Sequence, residues 1–238
     1  MRLRPLLLSS LLVLGLGACA KNAPAPGDAA ASASSSSAPA RLSVAELEAN
    51  AAKGDMEAMF SLGAMYHDGD GAPQDLAKAA EWFTKAANAG ERKSQFNLGL
   101  MEYKGEGMAQ DYAAAAKWFR KSSDLGNPRA AYQLGLMEYQ GQGVPKDFAK
   151  AKADFENGSR RGIPDAQYNL AVMYARGEGV KADPIEAFAW LSIADGMGFT
   201  KAGDARTRLS AKFTDAQKQA AAERTLALGI ELQSNIQR

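Results

Sequence analysis

The fold is decided by residues 61–90, SLGAMYHDGDGAPQDLAKAAEWFTKAANAG. Its landmarks return at a spacing of 36 residues: Leu62-Gly63 becomes Leu98-Gly99, Leu134-Gly135 and Leu170-Ala171. The pair Gly69 and Gly71 recurs as Gly105 and Gly107, Gly141 and Gly143, and Gly177 and Gly179. Asp75 and Ala79 keep the same register, and Phe83 recurs as Phe119, Phe155 and Leu191. Gly54, Gly90, Gly126, Gly162 and Gly198 punctuate the boundaries, with no insertion or deletion between them. A fixed period of this length marks a repeat architecture, in which each unit buries its apolar face only against its neighbours.

Within a unit the pattern is helical. Residues 56–68 read as a first helix, A, with Ala58, Leu62, Met65 and Tyr66 on one face. Gly63 lowers helix propensity there and is expected where another helix backbone approaches closely. Gly69-Asp70-Gly71 ends helix A, because glycine accepts left-handed backbone angles. Asp75 then caps a second helix, B, which carries Ala79, Trp82, Phe83 and Ala86 inward. In the fourth unit Asp183, Pro184 and Glu186 read as a capping box with proline at the first helical position.

Working outward, residues 42–53 read as a lone helix B with Ser43 at its N-cap. Residues 201–211 and 215–233 read as two amphipathic helices with a turn at Phe213-Thr214. The fold class is therefore all-α, a solenoid of helix–turn–helix repeats over residues 42–198 closed by capping helices in 199–238.

The order Leu-Gly, Gly-x-Gly, Asp, Lys-Ala, Trp-Phe, Lys-Ala-Ala, Gly resembles the Sel-one-like repeats, relatives of the tetratricopeptide repeats. Leu62, Gly63, Tyr66, Asp75, Lys78, Trp82, Phe83 and Lys85 carry it in the first unit. The resemblance implies a right-handed α-solenoid with a concave groove for peptides or proteins, and no particular reaction. There are departures. Glu102 and Glu138 stand at the family tyrosine of helix A, and Asp154 stands at the tryptophan of helix B. Asn157-Gly158 replaces Lys-Ala, so the third repeat is expected to be the least stable. Some members carry a cysteine pair per repeat and have been linked to β-lactams; this chain lacks those cysteines.

The N-terminal region has another logic. Arg2 and Arg4 precede an apolar run, residues 6–16, too short to span a bilayer as a helix. With small residues at Gly17 and Ala18, residues 1–18 read as a secretory signal peptide. Leu16-Gly17-Ala18-Cys19 resembles the lipobox of bacterial lipoproteins, which implies lipidation at Cys19. Acyl chains contribute roughly 0.8 kcal/mol per buried methylene, and more than one gives stable anchoring. Ala20 after the cysteine implies sorting to the outer membrane, facing the periplasm. Residues 20–40 are rich in Ala, Ser and Pro and are expected to form a disordered tether, its ends on the order of 25 Å apart. The domain plan is thus signal peptide 1–18, lipidated cysteine and linker 19–41, then the repeats.

Composition removes several functions. The formal charge of +1 becomes −1 once Arg2 and Arg4 are cut away, leaving 26 Lys and Arg against 27 Asp and Glu. No basic stripe stands out, so nucleic acid is not expected as a partner. Cys19 is the only cysteine and His67 the only histidine, which leaves little for nucleophilic catalysis. Asp68-Gly69-Asp70-Gly71 lacks the further ligands of a calcium loop, and no metal or cofactor is expected.

What remains is a surface. Phe96, Tyr103, Tyr132, Tyr139 and Tyr168 fall on the helix-A side opposite the core face, beside the polar column Asn97, Gln133 and Asn169. Two readings stay open: a ligand groove suited to a helix or extended segment, or the face on which one repeat packs against the next. The expected function is an envelope lipoprotein that scaffolds a protein or peptide partner, not an enzyme. A peptidoglycan- or glycan-binding module is the alternative, and a hydrolase of β-lactam-like substrates stands behind it.

Overall fold

The structure, a computed structural model, describes residues 42–236, with side chains to residue 234. The expected signal peptide, Cys19 and the linker to residue 41 lie outside the described residues.

Eleven helices and no strands make up the described chain: α1 (Val44–Ala51), α2 (Met56–Asp68), α3 (Leu76–Asn88), α4 (Arg92–Lys104), α5 (Tyr112–Asp124), α6 (Pro128–Gln140), α7 (Phe148–Arg160), α8 (Pro164–Arg176), α9 (Pro184–Gly196), α10 (Thr200–Ser210) and α11 (Asp215–Ile236). From α1 to α9 each helix packs on the next in the chain, and α9 receives both α10 and α11. This is the solenoid expected from the 36-residue period. Its apolar clusters straddle the repeat boundaries. Phe83 of α3 shares a core with Leu98 and Met101 of α4, and Phe119 of α5 shares one with Leu134 and Met137 of α6. A single helix pair would leave half of each cluster in water.

The loops are built the same way four times. The αL conformation at Gly69, Gly105, Gly141 and Gly177 ends each helix A. The N–H of Asp75, Asp111, Asp147 and Asp183 then returns to the carbonyl of Tyr66, Glu102, Glu138 and Tyr174. The same aspartates accept from N–H groups in the first turn of helix B, meeting orphan donors there. Ser43 and Glu46 complete a reciprocal capping box on α1. The box expected at Asp183 is only half formed. Glu186 turns away to accept from the Trp190 indole at 2.9 Å and from Arg224 of α11.

Gly63 and Gly99 face side chains, not the backbone expected from sequence, while Gly135 faces both a ring and the Ala151 carbonyl, 3.3 Å from where a Cβ would sit. A Cβ on Gly63 would sit 2.6 Å from the Phe83 ring. On Gly99 and Gly135 it would sit 2.8 Å from Phe119 and Phe155. In the fourth repeat Ala171 replaces the glycine, and Leu191 stands where the others have phenylalanine. Backbone does approach at the second loop glycine. A Cβ on Gly107, Gly143 or Gly179 would meet the backbone of Leu76, Tyr112 or Phe148 at 2.3, 2.5 and 2.6 Å. Each of these contacts locks a loop onto the start of helix B in the repeat before.

At the far end α11 seats Ala221 and Leu228, both buried, while Leu226 and Ile230 stand 71% and 68% exposed. It runs to Ile236, three residues past the expected end.

Candidate functional site

The members of the helix-A stripe differ in what holds them. All eight expected groove residues are half-buried. Phe96 packs against Phe119 and Tyr132 against Phe155, with ring centroids 5.8 and 6.1 Å apart. Tyr168 lies 5.6 Å from Phe199, across the boundary to the C-terminal cap. The hydroxyls of Tyr103 and Tyr139 reach the next repeat. Tyr103 donates to Gln142 Oε1 at 2.9 Å, and Tyr139 donates to Glu178 Oε2 at 2.6 Å while accepting from Arg176 at 3.3 Å. These two tyrosines clasp consecutive repeats. Burial and the neighbouring Glu178 carboxylate both raise the Tyr139 pKa.

The amide column is freer. Burial raises the Tyr132 pKa, Asp165 adds to it, and Asn169 across a repeat boundary opposes it. Asn97 opens with Phe60, Phe96 and Arg129 on a cleft of about 320 Å³. Asn169 opens with Tyr139, Tyr168 and Arg176 on one of about 270 Å³. The stripe is thus two shallow clefts with aromatic floors and amide rims, separated by inter-repeat packing. His67 lies at the end of α2 with Nδ1 2.7 Å from Asp68, 39% exposed, as a helix C-terminal histidine does.

A second cluster was not read as a site from sequence. Arg120 of α5 reaches Glu138 of α6 at 2.6 Å and Asp154 of α7 at 3.2 Å. The side chains of Glu138 and Asp154 are only 5% and 8% exposed. Burial pushes the Glu138 carboxyl up to about 7, and the adjacent Asp154 adds to the shift. Burial also raises Asp154, against the pull of Arg120. Glu138 Oε2 and Asp154 Oδ2 are buried without a hydrogen-bond partner. The signal for this triad was present in Glu138 and Asp154 as departures from the repeat pattern. Arg120 could not be attached to them without knowing which helix faces follow one another. Among the described residues no group of three or more His, Cys, Asp or Glu is placed to hold a metal ion. No described helix is long and apolar enough to cross a membrane.

Comparison with known proteins decides the lineage. Residues 57–91, 92–127, 128–153 and 164–194 each match the Sel1 repeat, together more than half of the chain. The chain belongs to the Sel1-repeat family. The third Sel1 match stops at residue 153, one position before Asp154. A Sel1 repeat protein from Oxalobacter formigenes is similar at 26% identity and a TM-score of 0.67, over 75% of this chain and 77% of that one. The protein c5321, a protective antigen of uropathogenic Escherichia coli with this fold, is similar at 33% identity and a TM-score of 0.66. That match covers 68% of this chain and only 35% of c5321. No curated protein matches the chain in sequence.

Proposed function

We propose that this Sel1-repeat protein is a lipid-anchored scaffold of the bacterial envelope, tethered to the outer membrane through Cys19 and presenting its helix-A face to a protein or peptide in the periplasm. Sel1 repeats generally mediate protein–protein interaction and the family is generally non-enzymatic. The observation that carries the reading is the surface of the A helices: aromatic rings half-open to solvent beside amide side chains, at one residue register per repeat. Such a surface offers stacking area at low entropy cost and hydrogen bonds for an extended or helical segment.

The test has two parts. Metabolic labelling with a fatty acid should mark the wild-type protein, and C19A should abolish the label and release the protein from the membrane fraction. Photocrosslinking from position 133 in living cells should capture a discrete partner, lost in an N97A/N169A variant. Label on C19A refutes the anchor. Capture unchanged by N97A/N169A refutes the helix-A face as the docking surface.

A further inference from the structure

The tryptophan column of helix B reads Trp82, Trp118, Asp154, Trp190. Trp82 packs back on the cluster around Leu47, Ala58 and Leu62. Trp118 packs on the cluster of Ala79, Ala80, Phe83 and Leu98. Each indole covers the seam between helix B of the preceding repeat and helix A of its own. One repeat on, the same seam is lined by Ala116 and Leu134, the register equivalents of Ala80 and Leu98. Asp154 cannot cover it, because its carboxylate is drawn to Arg120. There the structure has a pocket of about 640 Å³, with Ala113, Trp118, Val144 and Pro145 also in its walls. That volume falls within the range of ligand pockets, roughly 300–1,000 Å³.

The surroundings are cationic. Lys117, Arg120, Lys121 and Lys150 line the pocket and are exposed. Arg120 is engaged by Glu138 and Asp154, and Lys150 by Asp147 at 3.6 Å, which leaves Lys117 and Lys121 as the rim cations outside any ion pair among the described residues. The Lys121 ammonium lies 4.1 Å over the Trp118 ring. Acidic flanks on an aromatic anchor complement this rim.

We propose that this pocket docks a segment of a partner protein presenting an aromatic side chain, tryptophan above all, flanked by carboxylates. The ring enters the seam that an indole covers in the other repeats, and the carboxylates meet Lys117 and Lys121. The rest of this chain does not supply the occupant. Residues 1–41 and 237–238 contain no Phe, Tyr or Trp, and Asp28 is their only carboxylate side chain. Nor does a second copy, since the exposed large apolar side chains among the described residues are Leu42, Met56, Leu125, Met197, Leu226 and Ile230, none aromatic. The site is separate from the stripe. On α6, at about 100° per residue, Leu134 points about 140° to 160° away from Tyr139 and Tyr132, and Glu138 about 100° to 120° away.

The experiment titrates the ¹⁵N-labelled full-length protein, in detergent, with the blocked peptide Glu-Glu-Trp-Glu-Glu. Saturable shifts are expected at the Trp118 indole N–H and the Ala113 and Val144 amides. The same peptide with Ala for Trp, or Lys for Glu, should bind at least about tenfold more weakly, a difference of about 1.4 kcal/mol. D154W should abolish binding by covering the seam from within. K117E/K121E changes only exposed side chains; it should weaken the acidic peptide and favour the Lys-flanked one. Shifts that persist in folded D154W, that ignore K117E/K121E, or that are equal for the Trp and Ala peptides would overturn the proposal. An N97A/N169A protein should bind the peptide as wild type does, so failure here and failure of the helix-A reading give different results.

Discussion

Gly99 and Phe119 show how a repeat column is chosen in pairs. The ring lies where a methyl group would go, and the fourth repeat changes both partners together, to Ala171 and Leu191. G99A should therefore destabilise the protein by about 1–3 kcal/mol, the usual range for overpacking. F119L placed in the same chain should recover part of that loss. Urea midpoints of wild type, both single variants and the double variant check it; two additive losses would contradict the pairing. Glu138 gives a prediction in pH. Its usual pKa of 4.5 is raised to about 7 in the fold, so the folded state binds the extra proton. The stability from this group is complete below about 4.5 and is lost as pH rises through about 7. The difference in thermal midpoint between wild type and E138Q should shift across that window and level off above it. R120A removes the cation bonded to both carboxyls and should steepen the loss with rising pH. A midpoint difference that is flat from pH 4.5 to 8 would contradict the raised carboxyl.

At the scale of the element, helices are ended by local chemistry and joined by the loops. Asp111 accepts from the Ala114 N–H at 2.9 Å and caps α5. D111A should cost about 1 kcal/mol, while D111N should cost less because asparagine caps nearly as well. Denaturant melts of the two variants check this. The second loop glycine belongs to the joint between repeats. A Cβ at Gly143 would sit 2.5 Å from the Tyr112 backbone, whereas at Gly71 the contact is only the flexible Met65 tip at the same distance. G143A should thus destabilise clearly more than G71A, although both glycines have positive φ, 70° and 94°. Equal losses in the two variants would mean that backbone strain alone governs these glycines.

At the scale of the whole molecule, stability is a chain of nearest-neighbour interfaces, and the ends matter most. α11 closes the stack by seating Leu228 against α9 and by pairing Arg224 with Glu186 at 2.5 Å. Ending the chain at residue 214 removes both and uncovers the α9 face. The truncated protein should melt at lower temperature and bind more of an apolar fluorescent dye than the intact chain does. An unchanged midpoint would show that α11 is an appendage and not a cap.

The sequence alone determined the helix pairs, their 36-residue register, their caps and the solenoid class, because these depend on local propensity and on a period visible in one dimension. It also identified the aromatic and amide columns, and it marked Glu138 and Asp154 as departures. It could not say which of those columns packs and which stays open, since a helix in a solenoid has two neighbours and the pattern on one helix does not rank them. Only the tertiary structure decided that Tyr103 and Tyr139 clasp the next repeat, that Gly63 makes room for a ring and not a backbone, and that Arg120 meets Glu138 and Asp154. These depend on distances between side chains about 20 to 40 residues apart, set by how one helix pair sits on the next. The same placement opens a pocket beside Trp118.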